Sequence, residues 1–161
     1  ILPKVRGMKG PLSCLTQARY GIAWGAVGAA RDAYEEALAY SQEREQWGKP
    51  IGGFQLQQEK LTEMVTQISL GQLLAHRLSE LKEAGDLRPQ QVSMAKRNNV
   101  RMARDQTRIA REIIGGNGIT TDFSPIRHMA NMETVYTYEG THDIHSLIVG
   151  ADITGLRAFH G

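Results

Sequence analysis

A chain of 161 residues with 41% hydrophobic and 22% charged residues has the size and composition of one globular domain. Its net charge of +2 comes from intermixed acids and bases with no Lys/Arg block, which argues against a nucleic-acid-binding role. A single cysteine, Cys14, excludes an internal disulfide and reads as a small buried residue of a reducing compartment, and no apolar run is long enough for a membrane span.

The five prolines punctuate the chain, each preceding or opening a candidate helix. The opening Ile1-Leu2-Pro3 has neither initiator Met nor leader and reads as a piece of something longer, with residues 1–5 as the tail of a strand. From Pro11 to about Glu45, Leu15, Ala18, Ile22, Ala26, Ala29/Ala30, Ala33 and Ala37/Leu38 recur at helical spacing. Gly21, Gly25, Ala26, Gly28 and Ala29 make its face poor in side-chain bulk and predict a close-packed neighbour. Gln46 to Pro50 and Gly52-Gly53 break it.

A second helix is expected from about Phe54 to Ala84, on the stripe Leu61, Met64/Val65, Ile68, Leu74, Leu78 and Leu81. A third runs from Pro89 to Ile114, with Val92, Ala95, Met102/Ala103, Ile109/Ala110 and Ile113/Ile114 inward. Lys96, Arg97, Arg101, Arg104, Arg108 and Arg111 read as its solvated face. Gly115 to Gly118 stop it. A short helix is expected near 125–132. A last one runs from Gly140-Thr141 to Leu156 or beyond, with Ile144, Leu147/Ile148 and Ala151 inward. No segment shows sustained strand alternation. The fold class is all-α: an antiparallel, four-helix-type bundle of long helices with additional short C-terminal helices.

Three segments hold residues that could do chemistry. In Tyr136 to His145, Glu139 precedes a glycine at a helix entrance. It and Thr141 could simply cap that helix. Alternatively, Glu139 is a carboxylate among apolar and aromatic neighbours, where desolvation favours the protonated form and suits a base that removes a carbon-bound proton. Gly140 would let a ligand approach the backbone. Glu139-x-x-His142 has the spacing of di-metal carboxylate bundles, but no second Glu-x-x-His exists in the chain, so no metal is expected. Gly115 to Gly118 could be a helix stop or offer backbone N–H groups to a phosphate or adenosine. Arg44 to Gly48 could be a helix end with a packing plug, or a pyrophosphate-binding Arg beside an aromatic platform.

Arg44-x-Gln46-Trp47-Gly48, Gln55, Ile114-Gly115-Gly116-Asn117-Gly118 and Tyr138-Glu139-Gly140-Thr141, in this order and spacing, resemble the acyl-CoA dehydrogenases. The resemblance covers essentially the whole chain. Arg19 to Gly25, Lys96 to Asn99 and Tyr138 to His145 look like the glutaryl-CoA dehydrogenase branch. The resemblance implies an FAD enzyme that oxidises and decarboxylates glutaryl-CoA in amino-acid catabolism, forms homotetramers and passes electrons to electron-transfer flavoprotein. Bacterial cytoplasm or mitochondrial matrix would be its compartment.

The resemblance also assigns roles. Residues 1–10 would end a missing middle β-domain, and residues 11–161 would be the C-terminal helical domain, inactive by itself. Glu139 falls on the catalytic base; the alternative base position of some members is Ala18 here, which cannot serve. Leu12, Ser13, Cys14, Leu15, Thr16, Gln17, Ala18, Arg19 and Gly140 fall on the substrate site, with Arg19 near the base or the CoA. Arg44, Gln46, Trp47 and Gln55 fall on FAD contacts largely across a subunit boundary. Glu112, Ile113, Ile114, Gly115 and Gly116 match a second such stretch, although many members have Gln where Glu112 stands. Thr141 and Phe159 would also touch FAD. The rival readings are a non-catalytic helical assembly module and a dehydrogenase of another short-chain acyl-CoA.

Overall fold

The structure is a computed structural model that describes residues 4–158. Among these, five α-helices follow one another: α1 (Lys9–Glu43), α2 (Gln55–Glu83), α3 (Pro89–Ile114), α4 (Ser124–Thr137) and α5 (His142–Thr154). The two strands β1 (Glu45–Gln46) and β2 (Lys49–Pro50) form a minimal hairpin between α1 and α2, followed by a 3-10 turn (Ile51–Gly53). Trp47 and Gly48 at its tip both have positive φ, 55° and 76°, as a tight hairpin turn of matching twist requires. Two residues per strand are too few for alternation to register in the sequence.

The core contacts fix the helix directions. Ala23 packs with Leu78 and Ala95; Ala26 and Ala30 with Ile68, Val100 and Ala103; Ala33 and Ala37 with Met64, Ala110 and Ile113. Moving down α1, the partners therefore descend in α2 and ascend in α3. Helices α1 and α3 run the same way, with α2 antiparallel to both. Helix α3 packs against all four other helices. It needs clean ends for this. Pro89 supplies the first-turn residue whose missing N–H costs nothing, the Arg88 backbone N–H donates to Gln91 Oε1 (2.8 Å), and Gly115 terminates the helix with φ 70°.

The α1 stripe that meets α3 is made of alanine. Ala23, Ala30, Ala33 and Ala37 are fully buried. Such residues bury little area each, but they let two backbones approach closely and gain dispersion contacts along the whole seam. The glycine face lies elsewhere. Of the small residues expected to meet a close neighbour, Ala26 is buried against Val100 and Ala103 with Ala29 beside it, whereas at Gly21, Gly25 and Gly28 an added Cβ would meet nothing within 4 Å among the described residues. Asn99, fully buried on α3, donates from Nδ2 to Ala23 O (3.0 Å) and Gly71 O (2.9 Å) and so ties the three long helices together at one level.

Several expectations need correction. Helix α4 runs to Thr137, because Met132, Val135 and Tyr136 continue its apolar stripe against the core. Ala18 is exposed, and Leu15 and Ile22 are half-buried, because the buried stripe of α1 is phased on Ala23, Ala26 and Ala30. Val65 of α2 is exposed. Cys14 is exposed, not buried: it lies in the first turns of α1, ahead of the core stripe that starts at Ala23. Lys4 and Val5 form a turn and coil, and the rest of the expected strand tail lies outside the described residues.

Helix α5 is turned over. Ile144 and Leu147 are exposed, Ile148 and Ala151 are half-buried, and His142 and His145 face inward. The outward apolar side lines a shallow groove of about 220 Å³ with Arg157. The cause is the turn before it. Thr141 Oγ1 accepts from Ile144 N (3.2 Å) and sets the helix start, while His145 packs under Gly140.

Candidate active site

The turn between α4 and α5 carries Glu139. The residue has φ 55°, a left-handed conformation that costs a non-glycine residue about 1 kcal/mol or more, so the surroundings must hold it. Two cations do so. Arg19 Nε donates to Glu139 O at 2.7 Å. Lys96 Nζ donates to Val135 O, Tyr138 O and Gly140 O, each at 2.9 Å. The carbonyls of Tyr138, Glu139 and Gly140 are thus all drawn onto positive charge. Gly140, at φ 91°, allows the approach, since a Cβ there would lie 3.1 Å from both Arg19 Nη2 and His145 Nε2.

The Glu139 side chain is half-buried. Glu139 Oε2 is buried and without a hydrogen-bond partner. Beside it, His145 is fully buried with neither ring nitrogen paired, although the backbone of Glu139 and Gly140 lies close. Burial, then the Lys96 and Arg19 charges, push its pKa down to about 4, so the ring is neutral near pH 7. Tyr136 stacks on His142 (4.5 Å, 10°), whose pKa is lowered by burial and then by Arg97. Lys96 itself is 1% exposed. Burial first, then Arg19, lower its pKa to about 8, against the pull of the Glu139 carboxylate.

A groove of about 610 Å³ opens between α1 and α4 next to this turn, bordered by Ala18, Gly21, Gly25, Met132, Val135 and Tyr138. Of the residues expected at a substrate site, Ala18 lines this groove and Arg19 touches the turn. Leu12, Ser13, Cys14 and Gln17 are exposed along α1, with Leu15 and Thr16 half-buried. The hydroxyls of Ser13 and Thr16 are engaged on Gly10 O and Leu12 O of their own helix. Thr141 is the α5 cap.

The other expected residues gather at the far end of α1 and α3. Arg44, Gln46, Glu112, Ile113, Ile114, Gly115 and Gly116 line one mainly polar cleft of about 410 Å³. Gln46, Trp47 and Gln55 border an adjoining one of about 400 Å³. Trp47 is 91% exposed, hence no packing plug. Ile113 and Ile114 have buried side chains, so they can offer a ligand only their backbone. Glu112 pairs with Lys60 (3.3 Å) and Arg111 (3.9 Å). Gly115 and Gly116 would present a Cβ to nothing within 4 Å, leaving room for close approach to the backbone. Phe159 lies outside the described residues. Between Arg19 and Arg44 the helix rises about 37 Å, so the two sites sit at opposite ends of the bundle.

The sequence missed Lys96 by placing it on the solvated face. Yet Val92, Lys96, Asn99, Ala103, Thr107 and Ala110 are all buried at three- and four-residue steps, and that spacing was the available signal. Arg97, half-buried, donates to Ser146 Oγ at 2.7 Å, and Arg104 pairs with Glu133 at 2.6 Å. Among the described residues no group of three or more His, Cys, Asp or Glu could hold a metal ion, and no helix is long and apolar enough to cross a membrane.

Fold and site together define an all-helical domain with a cation-held carboxylate turn at one end and a polar, glycine-edged cleft at the other. The chain belongs to the acyl-CoA dehydrogenase family: residues 5–154 match its "Acyl-CoA dehydrogenase, C-terminal domain". It is 32% identical over 144 residues to glutaryl-CoA dehydrogenase of Desulfococcus multivorans, covering 89% of this chain and 37% of that protein. A crystal structure of glutaryl-CoA dehydrogenase from Mycobacterium smegmatis superposes with a TM-score of 0.96 at 50% identity, over 99% of this chain and 41% of that one. A second, in complex with FADH2, gives 0.95 at 48% identity, over 97% and 40%. The chain therefore spans about two fifths of the length of these relatives.

Proposed function

We propose that this chain is the C-terminal helical part of an FAD-dependent acyl-CoA dehydrogenase acting on glutaryl-CoA, with Glu139 as the base that takes the α-proton of the thioester. The observation that carries the reading is the buried, unpartnered Oε2 of Glu139 on a turn whose left-handed backbone is held by Arg19 and Lys96. An oxygen with no internal partner is free to accept a proton from a ligand. The peptides here are trans. With the carbonyls of Tyr138, Glu139 and Gly140 turned onto cations, the N–H groups of Glu139, Gly140 and Thr141 point the other way. There they can stabilise charge developing on the thioester oxygen.

FAD, when bound, supplies the hydride acceptor for the β-carbon. Residues at both ends fit such a dinucleotide: the α1–α4 groove beside Glu139, and the cleft of Arg44, Gln46, Gly115 and Gly116 with the exposed Trp47 indole. Because these ends lie about 37 Å apart along α1, one dinucleotide does not span them, and the distal cleft suits the FAD of a neighbouring subunit in a homotetramer. Oxidation of glutaryl-CoA followed by loss of its distal carboxylate as CO2 gives crotonyl-CoA, with electrons leaving to electron-transfer flavoprotein. The helical domain then opens with α1 at Lys9. The test is Glu139→Gln in the full-length protein. FAD stays bound, and anaerobic glutaryl-CoA no longer bleaches the flavin; normal bleaching would show that the base is another group. Titration with butyryl-CoA in parallel reads the acyl preference.

A further inference from the structure

Lys96 sits where a lysine is costly. Its side chain is 1% exposed, and no carboxylate pairs with it directly. All three ammonium protons go to carbonyls, two of which, Tyr138 O and Gly140 O, flank Glu139, while the third, Val135 O, belongs to the last turn of α4. One cation therefore ends a helix and sets the direction of two peptide planes on either side of a residue in the left-handed region.

We propose that Lys96 is a positioning residue for the dehydrogenation: its ammonium clamps the Val135, Tyr138 and Gly140 carbonyls and thereby fixes the backbone that aims the Glu139 carboxylate and the turn's N–H groups. This rests on Glu139 being the base. The clamp needs three N–H donors, and a neutral amine has two. The groups facing Lys96 are Arg19 from α1, Glu139 from the turn, and His142 and His145 from α5, with Arg97 next to it on α3. Arg19 opposes its charge and Glu139 favours it, and the two neutral imidazoles leave that balance unchanged above pH 7. The clamp therefore opens as pH rises through about 8.

The test uses the full-length FAD-loaded enzyme. Lys96→Met is expected to slow flavin reduction by acyl-CoA on the order of a hundredfold, the cost of misplacing a reacting group by about 1 Å, with little change in substrate KM. Amide hydrogen exchange, followed without substrate, should accelerate in the peptide covering 136–142 and not in α1 or α2. In Lys96→Ala, methylammonium ions should restore part of the rate, whereas methanol should not. The wild-type rate should fall above about pH 8, and that limb should be missing from Lys96→Met. A Lys96→Met enzyme that loses only melting temperature, keeping its rate, its pH profile and the exchange of the turn, would overturn the proposal. If Glu139→Gln stops flavin bleaching while Lys96→Met and Lys96→Ala reduce flavin normally, the clamp is refuted and the base stands. If Glu139→Gln bleaches normally, the base reading fails first and takes the clamp with it.

Discussion

Acidification should destabilise this fold through one buried ring. His145 is fully buried, neither nitrogen has a partner, and Lys96 and Arg19 lie close enough to repel an imidazolium. Its pKa falls from 6.5 to about 4 on folding, chiefly through burial. The folded state thus binds the proton less readily than the unfolded chain. The associated stability is fully present above pH 6.5 and is lost as pH falls toward 4. At about 1.36 kcal/mol per pKa unit, the gap corresponds to roughly 3 kcal/mol, a large share of the stability of a typical domain. His142, shifted in the same direction, adds to the slope. Urea unfolding at half-unit intervals from pH 7.5 to 4 gives the curve, and His145→Gln should flatten it between 6.5 and 4. The reasoning fails if the His145 ring titrates near 6.5 by NMR, or if wild type and His145→Gln lose stability in parallel across that interval.

Gly118→Ala would put a Cβ 2.5 Å from Arg111 O, a backbone atom at the end of α3 that cannot move aside; a loss of about 2 kcal/mol and a lower melting temperature are expected. A variant as stable as wild type would show that the α3 end is softer than its geometry implies. Trp47→Ala removes a side chain that packs on almost nothing, so stability should change by less than about 0.5 kcal/mol. FAD release from the assembled enzyme should nonetheless quicken, measured by the fluorescence of freed flavin; unchanged release would remove the indole from the cofactor site.

How far the sequence could be read depended on where its punctuation was local. Helix α3 is bounded by Pro89 and by Gly115, residues whose own backbones decide the matter, and its observed span equals the expected one. The ends of α1 and α2 fall within about two residues of expectation, although α1 starts at Lys9, ahead of Pro11, and has neither Pro nor Gly at its caps. Glu139 was legible as a residue and as a helix entrance, but not as a left-handed residue pinned by two cations, because Arg19 and Lys96 are separated from it by 120 and 43 positions. The orientation of α5 is not legible in its own apolar pattern. Its apolar periodicity is real, yet periodicity does not say which face meets this chain, and the Thr141 cap and the tight Gly140 turn direct the histidines inward. In α3 Lys96 differs from the neighbouring arginines only in its phase, which puts it on the buried side.

The alanine seam has a mechanical consequence. Ala23 stands one turn after Arg19 and Ala95 immediately precedes Lys96, and the two alanines pack in one cluster with Leu78. Their methyl groups act as a gauge block between α1 and α3, fixing how far apart the two cations are held beneath the turn. Thickening that block by a single methylene would spread the two cations and loosen their grip on the Glu139 turn while every residue of that turn stays as it was.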